Sequence, residues 1–246
     1  MPAFSFAPID LTGAQPLISG GDRHVFQHPG DPHLLIKVLD REAREIYERK
    51  RRLRRWYRRF RRASEHRVFM DEITEYIAAA SQAPSPMPLA RILGVAETTQ
   101  GLGMLVEKIS DGQGGLAPTL TAVVREQGLT PALRAQLDAL FDSLAAAHII
   151  VNDVSGGNIV VGSNAQGRQG MYLVDGFGNK QAVPFYAMSK RLNARRLQRK
   201  YQELLDELQR HTGRVAGFAA GQSAVPAGTR AEATQSSGRP QRSTRQ

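Results

Sequence analysis

An α+β fold in two lobes is what this sequence predicts, and three features of its patterning predict it. The apolar stretch Leu34-Leu35-Ile36-Lys37-Val38-Leu39 reads as a largely buried strand carrying a single charge. From residue 40 to about residue 80 the spacing turns helical: Ile46, Leu53, Trp56, Tyr57 and Phe60 recur on one stripe, and Phe69, Ile73, Tyr76 and Ile77 continue it. Two further strand candidates, 90–97 and 103–108, are joined in hairpin fashion through Thr98-Thr99-Gln100-Gly101, and beyond them the chain is mainly helical. Strands first and helices afterwards is the order of an α+β protein. A ligand sits naturally between two such lobes.

The remaining elements follow from local signals. Turns at Ser19-Gly20-Gly21-Asp22 and His28-Pro29-Gly30-Asp31 bracket a short apolar run opened by Val25 and Phe26. Pro84, Pro86 and Pro88 end the first helical region. A glycine-rich loop at 111–115 divides the two halves. Leu133, Leu137, Leu140, Phe141 and Leu144 then form the apolar stripe of a helix that should end near His148, where a partly positive side chain suits the helix dipole. Short strands at 159–161 and 171–174 flank a polar loop, and a long basic helix follows from about Phe185 to His211. From Gly213 onward large apolar residues almost vanish, which is the composition of a disordered tail. The predicted organisation is a lead at 1–15, an N-lobe at 16–110 with an arginine-rich helix within 40–80, a helical C-lobe at 111–212 and a tail at 213–246.

A length of 246 residues suits one domain, or one small two-lobed domain with a tail, and 41% apolar residues supply a normal core. With no cysteine, disulfides, thiolate metal sites and cysteine nucleophiles are excluded. No stretch approaches the roughly 18–20 apolar residues of a membrane span, and residues 1–11 lack the pattern of a secretory signal. A soluble cytoplasmic protein is expected. The net charge of +10 suggests a polyanion partner until it is located. Ten Lys or Arg and no acid lie between Arg49 and Arg62; setting those aside leaves 23 basic against 23 acidic residues. The basicity therefore belongs to one segment. A solvated helix face explains such a run, as does contact with nucleic acid, an anionic membrane surface or an anionic substrate.

Two loops carry the chemistry. In Val151-Asn152-Asp153-Val154-Ser155-Gly156-Gly157-Asn158 an acid and an amide lie five residues apart between a helix and a strand. Seventeen residues after Asn158 stands Asp175, in Leu173-Val174-Asp175-Gly176-Phe177-Gly178, an acid at a strand end followed by glycines. Phosphoryl transfer needs a carboxylate to orient or deprotonate the attacking hydroxyl, and an amide with a second carboxylate to hold the metal on the phosphates. Asp153 supplies the first, Asn158 and Asp175 the second. Lys37, on its apolar strand, can pair with nucleotide phosphates. A lysine buried there calls for an acid on the following helix: Glu72 is the choice, with Glu75 and Glu65 as rivals. His24 and His28 are too far from any acid cluster in sequence to suggest a metal site.

These residues resemble the PhoP-regulatory-network, YrbL-like family, within the wider protein-kinase-like superfamily. The resemblance spans roughly residues 16–211. It rests on Gly20-Gly21-Asp22-Arg23-His24-Val25-Phe26, on Leu35-Ile36-Lys37-Val38, on Asp71-Glu72-Ile73-Thr74-Glu75-Tyr76 and on the two acid-bearing loops. It implies a protein-kinase-like two-lobed fold with a small strand-rich N-lobe and a reduced helical C-lobe. ATP and Mg²⁺ are the implied ligands: Gly20, Gly21, Lys37 and Glu72 at the nucleotide, Glu107 in the linker whose backbone would meet adenine, Asp153 and Lys37 as the catalytic residues, with Asp153 positioning or deprotonating the acceptor, and Asn158 with Asp175 at the metal.

Several departures bear on the acceptor. Val151-Asn152 stands where the superfamily has His-Arg, Gly176-Phe177 follows Asp175, and no Ala-Pro-Glu appears. Only about one long helix remains after Asp175, so a small molecule, a lipid headgroup or the chain itself is a better acceptor than a protein. The alternative is a regulatory pseudokinase or binding module that engages a polyanion through the arginine-rich helix. The retention of Asp153, Asn158 and Asp175 together argues against it.

Overall fold

The structure, a computed structural model, describes residues 7–20, 23–40, 66–82, 87–178 and 185–222. Five strands form an antiparallel sheet: β1 (Ile18–Ser19), β2 (Arg23–Gln27), β3 (Leu34–Leu39), β4 (Ile92–Thr98) and β5 (Gly101–Glu107), in the order β1-β2-β3-β5-β4. β3 is central and both its faces are covered, which is why its sequence is continuously apolar rather than alternating. One face presents Val25, Leu35, Leu39, Met104 and Val106 to Phe69 of helix α1 (Arg67–Gln82). The opposite face presents Phe26, Ile36 and Val38 to Leu11 and Ile9.

That second layer was not visible in the sequence, which reads 1–15 as a lead. Ile9 bridges Thr98, and the Leu11 N–H donates to Thr99 Oγ1 at 2.9 Å. Two apolar residues are too short a run to announce a strand. Yet the burial of Leu11 alone stabilises by about 1.5–3 kcal/mol.

The second part of the chain holds α2 (Leu120–Gln127), α3 (Pro131–Ala146), the hairpin β6 (Ile159–Ser163) with β7 (Gln169–Leu173), α4 (Phe185–Met188) and α5 (Lys190–Gln222). Thr119 and Thr130 cap α2 and α3, each hydroxyl accepting from the backbone N–H three residues on. Leu120, Leu137, Leu144, Ile149, Ile159, Leu173, Leu204 and Leu208 meet in one core. α3 stops where expected, for a specific reason: His148 adopts a left-handed φ of 53°, its N–H donates to Ala145 O, and the Ile149 N–H donates to Leu144 O. This is a Schellman turn, and it aims the chain into the loop carrying Asp153.

α5 runs on to Gln222 rather than ending near His211. Of the tail expected at 213–246, residues 213–222 belong to this helix and 223–246 lie outside the described residues, as do Arg49, Arg62 and all residues between them. The two parts are stitched through the segment before β4. Ala90 N–H donates to Leu173 O at 3.1 Å, and Leu173 N–H donates to Pro88 O at 3.0 Å. The end of β7, and hence Asp175, is thereby held beside the five-stranded sheet. Among the described residues no helix is long and apolar enough to cross a membrane.

Candidate functional site

The register of the sheet places Lys37 between Val25 and Met104, on the face that looks at α1. On α1 the buried positions are Phe69, Glu72, Glu75 and Ala79, a helical spacing that turns two carboxylates inward. Buried carboxylates need partners, and the two find different ones. Glu72, 2% exposed, accepts a hydrogen bond from Arg23 Nη1 at 2.8 Å through Oε1. Its Oε2 lies 3.5 Å from Lys37 Nζ. That oxygen is buried and makes no hydrogen bond among the described residues, so its tie to Lys37 is a long ion pair. Glu75 instead accepts from the Ile150 N–H at 2.6 Å. Burial pushes the Glu75 carboxyl above its ordinary range, and the Ile150 hydrogen bond opposes that shift. Of the three glutamates considered for Lys37, Glu72 is beside it, Glu75 serves another element, and Glu65 lies outside the described residues.

Lys37 Nζ also donates to the carbonyl of Val174 at 2.8 Å, one residue before Asp175. Asp175 Oδ2 in turn lies 3.3 Å from Arg23 Nη1, and Asp175 Oδ1 accepts from the Gly176 N–H at 2.6 Å. Arg23, Lys37, Glu72 and Asp175 thus belong to one ionic cluster that joins β2, β3, α1 and the end of β7 among the described residues.

The two acid-bearing loops are bound to each other. The Asn152 and Asp153 N–H groups both donate to Gly176 O, at 2.7 and 2.9 Å, and Val174 N–H donates to Asn158 O at 2.9 Å. Asn158 Nδ2 donates to Asp153 Oδ2 at 3.2 Å and to the Asp153 carbonyl at 3.3 Å. Gly176 has φ 84°, and a Cβ there would overlap the Asp153 carbonyl, so only glycine permits this approach. The Asn158 amide is close enough to Gly176 that the same Cβ would stand 2.9 Å from its Nδ2.

This donor set suits Mg²⁺. With Nδ2 committed to Asp153, the Asn158 amide leaves Oδ1 as a ligand atom, and the Asp175 carboxylate is the neighbouring oxygen donor. Mg²⁺ takes hard oxygen ligands and keeps waters or phosphates in its other positions, so two protein ligands suffice. No cluster of three or more His, Asp or Glu is required, and none is present among the described residues.

Other predicted residues take different roles. Both Glu107 oxygens are engaged, Oε1 by the Ala165 N–H at 2.9 Å and both by the Arg91 guanidinium. The Glu107 N–H donates to Arg91 O at 2.8 Å. Glu107 therefore ties β5 to the β6–β7 loop, and neither its side chain nor its N–H is left for a base. Gly20 donates to Arg23 O at 2.9 Å and has room for a side chain, while Gly21 lies outside the described residues.

Sequence reasoning missed Arg23, Asn152, Arg196 and Lys200 as parts of the site. Asn152 Nδ2 donates to Gly178 O, and its Oδ1 accepts from Arg196 Nη2 at 3.2 Å. Lys200 Nζ donates to Asn152 O at 2.7 Å. Burial, then the neighbouring Arg196, lowers the Lys200 pKa from its ordinary value. These contacts from α5 brace the loop at the residue preceding Asp153. The available signal was the helical spacing of Arg196 and Lys200, four residues apart on one face.

Fold and site together define a mixed α+β protein whose charged centre joins a sheet, one helix and two interlocked loops. A family model described as PhoP regulatory network protein YrbL matches residues 9–209, and the chain belongs to that family. The match begins at Ile9, where the chain enters the back layer of the sheet. No curated protein matches the chain.

Proposed function

We propose that this protein is an ATP- and Mg²⁺-dependent phosphotransferase with a protein-kinase-like cleft, acting on a non-peptide acceptor. The observation that carries this reading is the convergence on one centre of Lys37 with Glu72, 3.5 Å apart, and of Asp175 with the Asp153–Asn158 loop. Capping and turn formation account for either loop alone. They do not account for a buried lysine bonded to the carbonyl that precedes the second acid.

In this reading Lys37, held by Glu72, orients the nucleotide phosphates. Asn158, through Oδ1, and Asp175 would hold Mg²⁺, which would supply charge to offset that of the phosphates. Asp153 keeps one carboxylate oxygen on Asn158 and offers the other to the acceptor hydroxyl. The acceptor oxygen bonds to the γ-phosphorus as the bond to the β–γ bridging oxygen breaks, ADP leaves, and the hydroxyl proton passes to Asp153. Asn152, pinned by Gly178, Arg196 and Lys200, supports the backbone on which Asp153 sits.

The test is calorimetric titration with ATP and Mg²⁺ beside Asp175→Ala. Metal-dependent binding that the substitution removes is the expected result; no binding in either protein sinks the reading. The alternative, a regulatory module acting through the stretch between Arg49 and Arg62, rests on residues outside the described ones. It predicts that neutralising Arg54, Arg55, Arg58 and Arg59 abolishes function while Asp175→Ala does not.

A further inference from the structure

Outside the stretch from Arg49 to Arg62, acidic and basic residues balance in number but not in place. Residues 185–202, spanning α4 and the start of α5, hold six Lys or Arg and no acid. Three of the six have duties within the fold: Arg196 and Lys200 bond to Asn152, and Arg199 pairs with Glu203 at 3.7 Å. Lys190, Arg191 and Arg195 are exposed and enter no ion pair among the described residues. Lys190 and Arg191 moreover occupy the first turn of α5, which holds no acid, at the end where the helix dipole disfavours cations.

The same end of the molecule exposes three large apolar side chains: Phe185 at 60%, Met188 at 77% and Leu192 at 44%. They do not belong to a loose end. Between them Tyr186 is anchored, its carbonyl bonded to His148 Nε2 at 2.8 Å and its ring 4.4 Å from the Arg196 guanidinium. Ser189 caps α5, its hydroxyl accepting from the Leu192 N–H at 3.3 Å. An apolar residue before such a cap often packs on the fourth residue of the helix. Here the fourth is Asn193, which is buried and donates to Ile149 O at 2.9 Å, so Met188 stays in water. Leu192 and Arg195 lie one turn apart on the side of α5 opposite its buried Leu197, Tyr201 and Leu204.

We propose that this face docks the protein on an anionic lipid bilayer. Phe185, Met188 and Leu192 enter the interface, and Lys190, Arg191 and Arg195 meet the headgroup phosphates. None of the six belongs to the candidate site, so the inference stands apart from the phosphotransferase reading. Charge and apolar surface together select the partner. A nucleic-acid backbone satisfies the cations but leaves Met188 and Leu192, which have no ring to stack on a base, in water. A second copy of this face buries the apolar residues but sets like charges against each other. An anionic bilayer accepts both. Docking also orients the cleft, because the adjacent side of α5 holds the loop of Asp153 through Arg196 and Lys200.

The experiment uses the full chain with vesicles of phosphatidylcholine, alone or mixed with phosphatidylglycerol. Sedimentation should carry wild type down with the mixed vesicles. Met188→Gln with Leu192→Gln should lower partitioning at least about tenfold. Arg191→Gln with Arg195→Gln should lower it about fivefold per charge, on the anionic vesicles only. Neither pair should shift the melting temperature or Mg²⁺–ATP affinity, since all four side chains are exposed and lie outside the site. The chain has no cysteine, so Met188→Cys takes a single polarity-sensitive fluorophore. Gln209→Cys, exposed about 25 Å beyond Leu192 along α5, is the control. The label at 188 should shift to the blue on mixed vesicles and the label at 209 should not. Wild type that stays in the supernatant overturns the proposal. So does sedimentation that neither pair weakens, or a label at 188 that remains in water, because the contact then lies elsewhere on the chain. Binding to a single-stranded oligonucleotide but not to vesicles assigns the face to nucleic acid and also overturns it. So does a lipid-free dimer that Met188→Gln dissociates.

Discussion

Lys37 Nζ donates to the carbonyl of Val174 at 2.8 Å across 137 positions of sequence. The bond joins the central strand of the sheet to the end of β7, and it sets Asp175 at a fixed offset from the lysine. It also divides the duties of the Lys37 ammonium. One proton is spent on the backbone, Glu72 balances the charge, and the remaining donor capacity is what the proposed function assigns to phosphate.

Lys37→Met tests that division. Methionine fits among Leu35, Leu39 and Met104, and Glu72 keeps Arg23 as a partner, so the stability cost should stay near 1–2 kcal/mol. Mg²⁺–ATP affinity should fall at least tenfold. Denaturant melts and calorimetry read the two effects separately, and a large stability loss without a binding loss would assign Lys37 to the fold.

Asp153→Asn keeps an oxygen for the Asn158 amide and removes only the carboxylate's charge and basicity. Nucleotide binding should stay within about threefold, while turnover, followed as ADP release, should drop by about 10²–10⁴. Turnover that survives the substitution would remove Asp153 from the proton path.

How much of this was legible in the sequence depends on how each residue is framed. Lys37 stands out because it interrupts an apolar strand, and Asp153, Asn158 and Asp175 because acids and amides among glycines at a helix exit and a strand end have few other uses. Arg23 has no such frame. Its neighbours on β2 are unremarkable, and only the antiparallel register with β3, Arg23 opposite Leu39, turns it toward α1. Glu72 and Glu75 are both buried on α1, and periodicity cannot tell which meets Lys37, because three residues of helix separate them by one turn on one face. Ile9 and Leu11 escaped notice because packing on the sheet's back face depends on the Thr98–Gly101 turn, 88 positions away from Leu11 at Thr99. Long-range pairing of short segments leaves no local signature.

Gly176→Ala should damage fold and site together. The φ of 84° is strained for any side chain, and the added Cβ collides with the Asp153 carbonyl that the Asn158 amide also contacts. Strain of this kind costs about 1–3 kcal/mol before the collision is relieved. Relief means parting the two loops, so Mg²⁺–ATP affinity should fall with the melting temperature. A variant that melts lower but binds normally would show that the loops tolerate separation.

Glu75 yields a prediction about pH. Burial raises its carboxyl pKa in the folded protein above the unfolded value, so the folded state binds the proton more tightly. Stability contributed by this group is therefore greatest at low pH, and it declines as pH rises from the unfolded glutamate value through the raised native one. Glu75→Gln keeps an oxygen for the Ile150 N–H and cannot ionise. The melting temperature of Glu75→Gln minus that of wild type should grow as pH rises through the ordinary glutamate range and beyond it, and level off once the raised native value is passed. Glu75→Leu separates the two roles of the residue: it removes the charge as well, but leaves the Ile150 N–H buried without an acceptor at a cost of about 1–3 kcal/mol. Ile150 lies three residues before Asp153, so that variant should also slow turnover, whereas the glutamine variant should not. A pH-independent difference between Glu75→Gln and wild type would mean that the carboxylate reaches solvent in the folded protein.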